Sequence, residues 1–457
     1  MSDVAILLNP PSPRTVFRDH YCASEAKSAY LWHPLDLQIQ AAWLKEAGWE
    51  VKACDAVALE WGPQEVGGWA RAAGARAAVV LVSERTWEGD KATIDALRGM
   101  GIPQIAASGD FLRFGAGPID EARGRIDWVL TDFTTGHLSR TLREGEAAGP
   151  GVTTVDEVAA GRFHDLGRAL LDFPTPDPDL FAPARYRLPY PGFTPIASAL
   201  TTYGCPHHCR YCHVGELGAR LRPVDDIVTE VRQIRAAGYQ RIYFRDATLN
   251  ANRTHLLEWT RRLCKEDLAT PWAAFAAALP MDDALAHALA MSGCKHLQIG
   301  VETLADGLRD HNGKPFDGDA HRAFVDTCHR AGIEVTAHLV LGLPGEDEAS
   351  LAATVEGLAE APFDYVAVNL AEDRPGLPWR AEGVRLPLSP SGARPAGATG
   401  PSAEGLKEAQ RLAYKRFYLR PRRLTREVVA RLAHRDVTDI AGLAGGLLSW
   451  ARPPRRT

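Results

Sequence analysis

The chain has 457 residues, 46% hydrophobic and 24% charged, with a formal net charge of −5. Such a length exceeds one ordinary core and gives a prior of about three domains. The acidic balance argues against the whole chain acting as a nucleic-acid binder, and no run of about eighteen apolar residues is present to span a membrane.

The opening stretch MSDVAILLNPPSP has no basic segment followed by an apolar run and a cleavage site, so a cytoplasmic protein is expected. Apolar runs at 5–8, 51–54, 78–82, 104–107 and 128–130 alternate with helix-period stretches at 35–47, 64–73, 91–100 and 137–144. This alternation predicts an α/β domain over 1–146, a parallel sheet of Rossmann-like or flavodoxin-like type with its ligand site at the carboxyl ends of the strands. Residues 147–190 break the rhythm. Asp172-Phe-Pro-Thr-Pro-Asp-Pro-Asp179 is a poor element interior because proline fixes φ and removes a donor, so this stretch is expected to link two domains.

A second alternating block occupies 191–376. Its strands are predicted at 196–201, 241–244, 272–276, 296–301, 334–341 and 365–370, with helices between them. Six βα units suit a partial parallel barrel of the TIM type, whose chemistry sits on the loops at the carboxyl ends. Residues 377–457 are expected to form a lid or connecting loop followed by a small helical region. From 401 onward they carry thirteen Lys or Arg against five Asp or Glu, which suits helices with solvated basic faces or a basic wall beside an anionic ligand.

Five of the eight cysteines are scattered, and the other three lie within eight residues, in Thr201-Thr-Tyr-Gly-Cys-Pro-His-His-Cys-Arg-Tyr-Cys-His213. This segment follows the first strand of the second block. Cys205, Cys209 and Cys212 can ligate three irons of a [4Fe–4S] cube and leave the fourth open to a small molecule. A Cys3His zinc site using His207, His208 or His213 is the chemical rival. Structural zinc favours paired knuckles, however, and no second Cys-x2-Cys occurs.

The C-x3-C-x2-C loop with Tyr211 before its last cysteine resembles the signature of the radical S-adenosylmethionine (SAM) superfamily. The resemblance continues through Tyr243-Phe-Arg-Asp246, Gly300-Val-Glu302, Leu341-Gly-Leu-Pro-Gly-Glu346 and Arg374-Pro-Gly-Leu-Pro378. It implies SAM contacts at Tyr211, Asp246, Glu302, Gly342 and Pro344. The chain departs from the pattern after the second strand, where Arg-Asp-Ala replaces the usual Gly-Gly-Glu. Each residue also has a structural reading: an aspartate at a strand end caps the next helix, and Gly-Leu-Pro-Gly is a turn.

The opening Val4-Ala-Ile-Leu-Leu-Asn-Pro-Pro11, with Pro34-Leu-Asp-Leu37 and Gly48-Trp-Glu-Val51, is similar to the N-terminal domain of the B12-binding radical SAM class. That resemblance implies cobalamin. No Asp-x-His-x-x-Gly supplies a lower histidine ligand. The expected corrinoid contacts are Ser83, Thr86 and Trp87, then Ser108 and Gly109, then Thr135 and Gly136, each on a loop that also suits a helix cap. The long first loop, with Arg18-Asp-His-Tyr-Cys22 and residues 27–32, is expected to reach the active site. His20, Cys22 and His33 are its candidate metal ligands. The implied reaction is reductive cleavage of SAM, with cobalamin-dependent methylation of an unactivated carbon of a small molecule. Rearrangement, cyclisation or another group transfer is the alternative, and a non-catalytic iron–sulfur or zinc module is a third. Expected partners are a small-molecule substrate and an electron donor such as flavodoxin or ferredoxin, with neither nucleic acid nor membrane.

Overall fold

A computed structural model describes residues 3–19, 23–26, 30–114, 117–147, 149–162, 171–181, 185–374, 376–389 and 395–433. His20, Cys22 and Pro375 lie outside the described residues, as does the basic stretch beyond 433.

The first sheet contains β1 (Val4–Asn9), β2 (Glu50–Asp55), β3 (Ala77–Val82), β4 (Gln104–Gly109), β5 (Trp128–Leu130) and β6 (Val152–Thr153). Its order is β2-β1-β3-β4-β5-β6, parallel except that β6 runs against β5. This is the flavodoxin-like winding, with its switch point between β1 and β3. Strand alternation explains the two covered faces. Ile6, Leu8, Val80 and Val82 pack under α2 (Pro63–Ala73) and α3 (Trp87–Gly99), through Val66, Ile94 and Leu97. Leu7, Val79 and Leu81 face α1 (Leu35–Glu46) and α4 (Leu138–Glu144), through Leu37, Leu44, Leu138 and Leu142. All six residues of β3 are buried, as a central parallel strand requires.

The second sheet runs in sequence order: β7 (Ala197–Ala199), β8 (Ile242–Phe244), β9 (Trp272–Ala276), β10 (Cys294–Glu302), β11 (Glu334–Leu341) and β12 (Tyr365–Leu370). Every pairing is parallel, and β7 and β12 are the two edges, so the barrel is open on one side. Outside it lie α5 (Val224–Ala236), α6 (Arg253–Lys265), α7 (Asp283–Met291), α8 (Gly318–Arg330) and α9 (Glu348–Gly357). Asp282, Asp317 and Asp347 each accept a hydrogen bond from the amide three residues on, which satisfies a helix-end donor.

The edge strand β12 is covered by α10 (Ala403–Tyr418), which buries Leu406, Ala409, Ala413 and Phe417 in the barrel's outer core. Two tyrosine hydroxyls of α10 complete the strand: Val366 N donates to Tyr418 Oη and Val368 N to Tyr414 Oη, both at 3.0 Å. A further helix, α11 (Pro421–Ala433), follows. The strand expected at 196–201 ends at Ala199, because Asp246 captures the backbone amides of Thr201 and Thr202. Among the described residues, no helix is long and apolar enough to cross a membrane.

Candidate active site

The cysteine loop leaves β7 and is framed by a short antiparallel pair, Thr202–Tyr203 with Arg220–Leu221. Its path demands glycine at two points. Gly204 has φ +76°, and a Cβ there would lie 1.6 Å from Gly218 O. A Cβ on Gly215 would lie 2.3 Å from His207 O. Closed in this way, the loop turns tightly enough for Cys212 N to donate to Cys209 O at 3.0 Å. Burial pushes the Cys209 thiol up, against the pull of nearby Lys314, and pushes Cys212 up to about 12. Buried thiols without a full counter-charge suit a bound cation, whose charge favours the thiolate.

Tetrahedral zinc draws its ligands to a single ion. A cube, in contrast, gives each thiolate its own iron. The three histidines make separate contacts. His208 is 3.7 Å from Glu216, His207 meets the Phe316 ring and His213 the Phe114 ring. The donor set fits the cluster.

Around the nest stand the strand ends singled out for SAM. Asp246 is fully buried, and its Oδ1 accepts from Thr201 N at 2.8 Å, Thr201 Oγ1 at 3.1 Å and Thr202 N. Its Oδ2 is buried without a partner, and burial pushes the carboxyl up to about 6. Glu346 is similar: Oε2 accepts from Gly342 N, Oε1 has no partner, and burial pushes the group up to about 7. Two orphaned carboxylate oxygens on the loops after β8 and β11 suit a cationic ligand with donors, such as an ammonium. Glu302 sits at φ +67°, an unusual backbone state for a residue with a Cβ, just past an irregularity in β10. It accepts from Lys314 Nζ at 2.9 Å. Burial works against the Lys314 charge, and the Glu302 carboxylate together with Cys209 and Cys212 more than offsets it. Gly342 has φ +92°, Pro344 O accepts from Asn312 Nδ2 at 3.0 Å, and half-buried Tyr211 packs with Leu308, Leu343 and Leu377. Lys314, Thr248 and Asn312 escape a reading of the sequence because they follow no strand motif. Thr248 Oγ1 lies 3.1 Å from Cys205 Sγ.

At the carboxyl edge of the first sheet, five of the seven expected corrinoid contacts have side-chain hydrogen bonds within the protein. Ser83 Oγ donates to Asp110 Oδ2 at 3.3 Å, Thr86 Oγ1 to Asp90 Oδ2 at 2.6 Å and Ser108 Oγ to Asp36 Oδ2 at 2.9 Å. Thr135 Oγ1 donates to Pro150 O at 2.8 Å, and Trp87 Nε1 to Glu121 Oε2 at 3.2 Å. A Cβ on Gly109 would collide with Val82 O, and one on Gly136 would press on the Trp43 ring. Buried side-chain atoms without a partner occur among their neighbours, including Gln38 Oε1, Gln40 Oε1, Glu84 Oε2, Arg85 Nε and Thr131 Oγ1. Unmet donors and acceptors of this kind fit a ligand with many amide arms.

The two edges face one another. Arg220, beside the cysteine loop, forms a buried ion pair with Asp132 at the end of β5. Arg85 pairs with Glu372 after β12. Described residues of the first loop contact the barrel: Asp19 pairs with Arg245 at 2.6 Å, and Trp32 lies 5.7 Å from the Tyr243 ring. His33 is wholly buried between the domains, with Nδ1 3.2 Å from Ser198 Oγ and its ring on Tyr186 at 3.8 Å.

Inside the barrel, Tyr190 closes the floor, stacked on His296 at 3.6 Å. Above it His338 Nε2 meets Gln298 Oε1 at 3.0 Å, and Gln298 Nε2 donates to Tyr243 Oη at 3.2 Å. His338 and Phe275 are half-buried, although their strand neighbours Ala337, Leu339 and Ala274 are fully buried under the helices. Strand alternation turns the exposed faces inward, so the lumen above the floor is accessible.

Residues 200–371 match the model of the radical SAM superfamily. An uncharacterized methyltransferase of Pyrococcus horikoshii is 23% identical over 269 residues, which are 56% of this chain and 58% of that protein. A tryptophan 2-C-methyltransferase of Streptomyces laurentii is 25% identical over 215 residues, 40% of this chain and 36% of its own. A tRNA-2-methylthio-N(6)-dimethylallyladenosine synthase of Syntrophomonas wolfei is 23% identical over 211 residues, 43% of this chain and 47% of its own. The chain thus spans about half the length of the curated relatives it matches. The fold is shared with TsrM of Kitasatospora setae, a radical SAM methyltransferase solved with cobalamin and a [4Fe–4S] cluster. There the TM-score is 0.64 at 17% identity, covering 84% of this chain and 74% of that one. It is shared as well with OxsB, a cobalamin-dependent radical enzyme solved with aqua-cobalamin and SAM, at a TM-score of 0.67 and 13% identity, covering 96% of this chain and 72% of that one. A three-cysteine nest on the first loop of a six-stranded open barrel, matched over residues 200–371 by the family's model, makes that segment a radical SAM domain, in a chain with the two-domain fold seen in TsrM and OxsB.

Proposed function

We propose that this chain methylates an unactivated carbon of a small molecule, using SAM, a [4Fe–4S] cluster and cobalamin. The observation that carries the reading is the opposition of two incomplete edges. On one side are the cysteine nest and the unpartnered oxygens of Asp246 and Glu346. On the other are the unpartnered atoms of Gln38, Glu84, Arg85 and Thr131. When bound, the cluster supplies one electron to SAM, and cobalamin supplies a transferable methyl group.

Within this reading Cys205, Cys209 and Cys212 hold the cluster. Asp246, Glu302, Glu346 and the Gly342-Leu-Pro344 turn orient SAM, with Tyr211 beside them. Gln38, Glu84, Arg85 and Thr131 meet the amide arms of the corrinoid. Ser83, Thr86, Trp87, Ser108, Gly109, Thr135 and Gly136 shape the loops that carry them. The half-buried faces of Phe275, His338 and Trp32 receive the substrate, and the first loop excludes water from it. An electron carrier of the flavodoxin or ferredoxin type completes the system.

Anaerobic reconstitution with cluster components and hydroxocobalamin tests this. Iron–sulfur absorbance near 400 nm and SAM cleavage by dithionite, both lost in Cys209→Ala, are expected. Stoichiometric corrin absorbance should survive gel filtration. An intact cluster that cleaves SAM without retaining corrin would transfer the reading to a non-methylating rearrangement, cyclisation or group transfer.

A further inference from the structure

The segment that follows β8 holds the cysteine loop at two points. Asp246 clamps the loop entrance through the amides of Thr201 and Thr202. Two residues later, Thr248 Oγ1 lies 3.1 Å from Cys205 Sγ. Thr248 is 4% exposed, and its carbonyl accepts from Ala251 N at 3.2 Å, so a turn fixes its position. A thiolate bound to iron has no proton to give, so only the threonine hydroxyl can donate in this pair.

We propose that Thr248 tunes the reduction potential of the cluster by donating a hydrogen bond to the Cys205 thiolate. The inference rests on the reading of the nest as a [4Fe–4S] site. Reduction adds one electron from an external reductant and leaves the ligand bonds in place. A hydrogen bond to a ligating sulfur withdraws negative charge from it and favours the form that carries the extra electron. The effect is confined to one of the three ligands, because Thr248 touches Cys205 alone among them. Thr248 acts through Cys205 and is therefore a positioning residue.

The test compares wild type, Thr248→Val, Thr248→Ala and Thr248→Ser after anaerobic reconstitution of the full chain. Iron and sulfide content are measured first, then the midpoint potential, by titration with dithionite and titanium(III) citrate read by electron paramagnetic resonance. The two variants without a hydroxyl should keep wild-type iron content but be reduced about tenfold less favourably, a fall of about 59 mV for one electron. Thr248→Ser should restore the wild-type potential. Potentials of Thr248→Val and Thr248→Ala equal to wild type would overturn the proposal, as would a serine variant no better than valine. Absence of iron in the wild type itself would overturn the cluster reading, and is distinguished by the iron analysis alone.

Discussion

Asp36 shows what burial does to a single carboxyl at the domain interface. Burial raises its pKa to about 7, helped by the negative charge of Asp19 and opposed by the Ser108 hydrogen bond and Arg245. An unfolded aspartate titrates at about 3.9. The stability gained by holding that proton is complete below about pH 4 and is lost progressively as pH rises from there through about 7. An asparagine side chain cannot ionise, so Asp36→Asn should be more stable relative to wild type at pH 8 than at pH 5. The difference between the two pH values should be about 2–3 kcal/mol, since each pKa unit is worth about 1.4 kcal/mol. Thermal melts of both proteins at the two pH values check this. An equal difference at both would show that Asp36 is solvated. The same scale explains which site residues are readable. Cysteines at iron-ligand spacing announce their chemistry in one loop. Lys314 does not, because it acquires a role only by packing against Glu302, twelve residues earlier in the chain.

At the scale of elements, the open barrel depends on what covers its gap. Strand β12 has an unpaired edge, and such edges must be covered or satisfied. Helix α10 does this with the hydroxyls of Tyr414 and Tyr418, whose aromatic rings also pack there. Tyr414→Phe should therefore destabilise the chain by about 1–3 kcal/mol, the cost of a buried backbone donor left without a partner. Urea denaturation would read it as a lower midpoint at an unchanged slope. The first loop covers the mouth from the other side. Phe17 stacks on Trp32 at 3.7 Å, and the Arg245 guanidinium lies 4.5 Å from the Trp32 ring. Replacing residues 17–32 by a short Gly-Ser linker should abolish turnover while cluster absorbance stays at the wild-type level. Turnover that persists would remove this loop from the active site.

Across the whole molecule, the two domains are joined by groups that cannot tolerate separation. Asp132 and Arg220 pair with side-chain exposures of 3% and 4%, and Arg220 also lies over the Tyr203 ring at 4.2 Å. Removing one partner of a buried pair leaves an uncompensated charge, at a cost of about 3–5 kcal/mol. Arg220→Met should therefore loosen the interface, seen as faster limited proteolysis near 147–190 and a lower melting temperature. The double variant Asp132→Leu/Arg220→Met should recover most of the loss. A single variant indistinguishable from wild type would mean that this pair does not hold the domains together.

What the sequence determined by itself is local in origin. The period of its apolar residues specified two α/β blocks, because each strand must bury alternate side chains under its own neighbouring helix. The spacing of Cys205, Cys209 and Cys212 pointed to a cluster, because one loop places three candidate ligands together. Tertiary structure alone decided the rest. It gave the hydroxyls of Ser83, Ser108 and Thr135 to internal partners and left Gln38, Glu84, Arg85 and Thr131 with unmet atoms. It also brought Thr248 to Cys205 across 43 positions of chain. Whether a buried polar atom is satisfied depends on groups distant in sequence, and no local pattern encodes that distance.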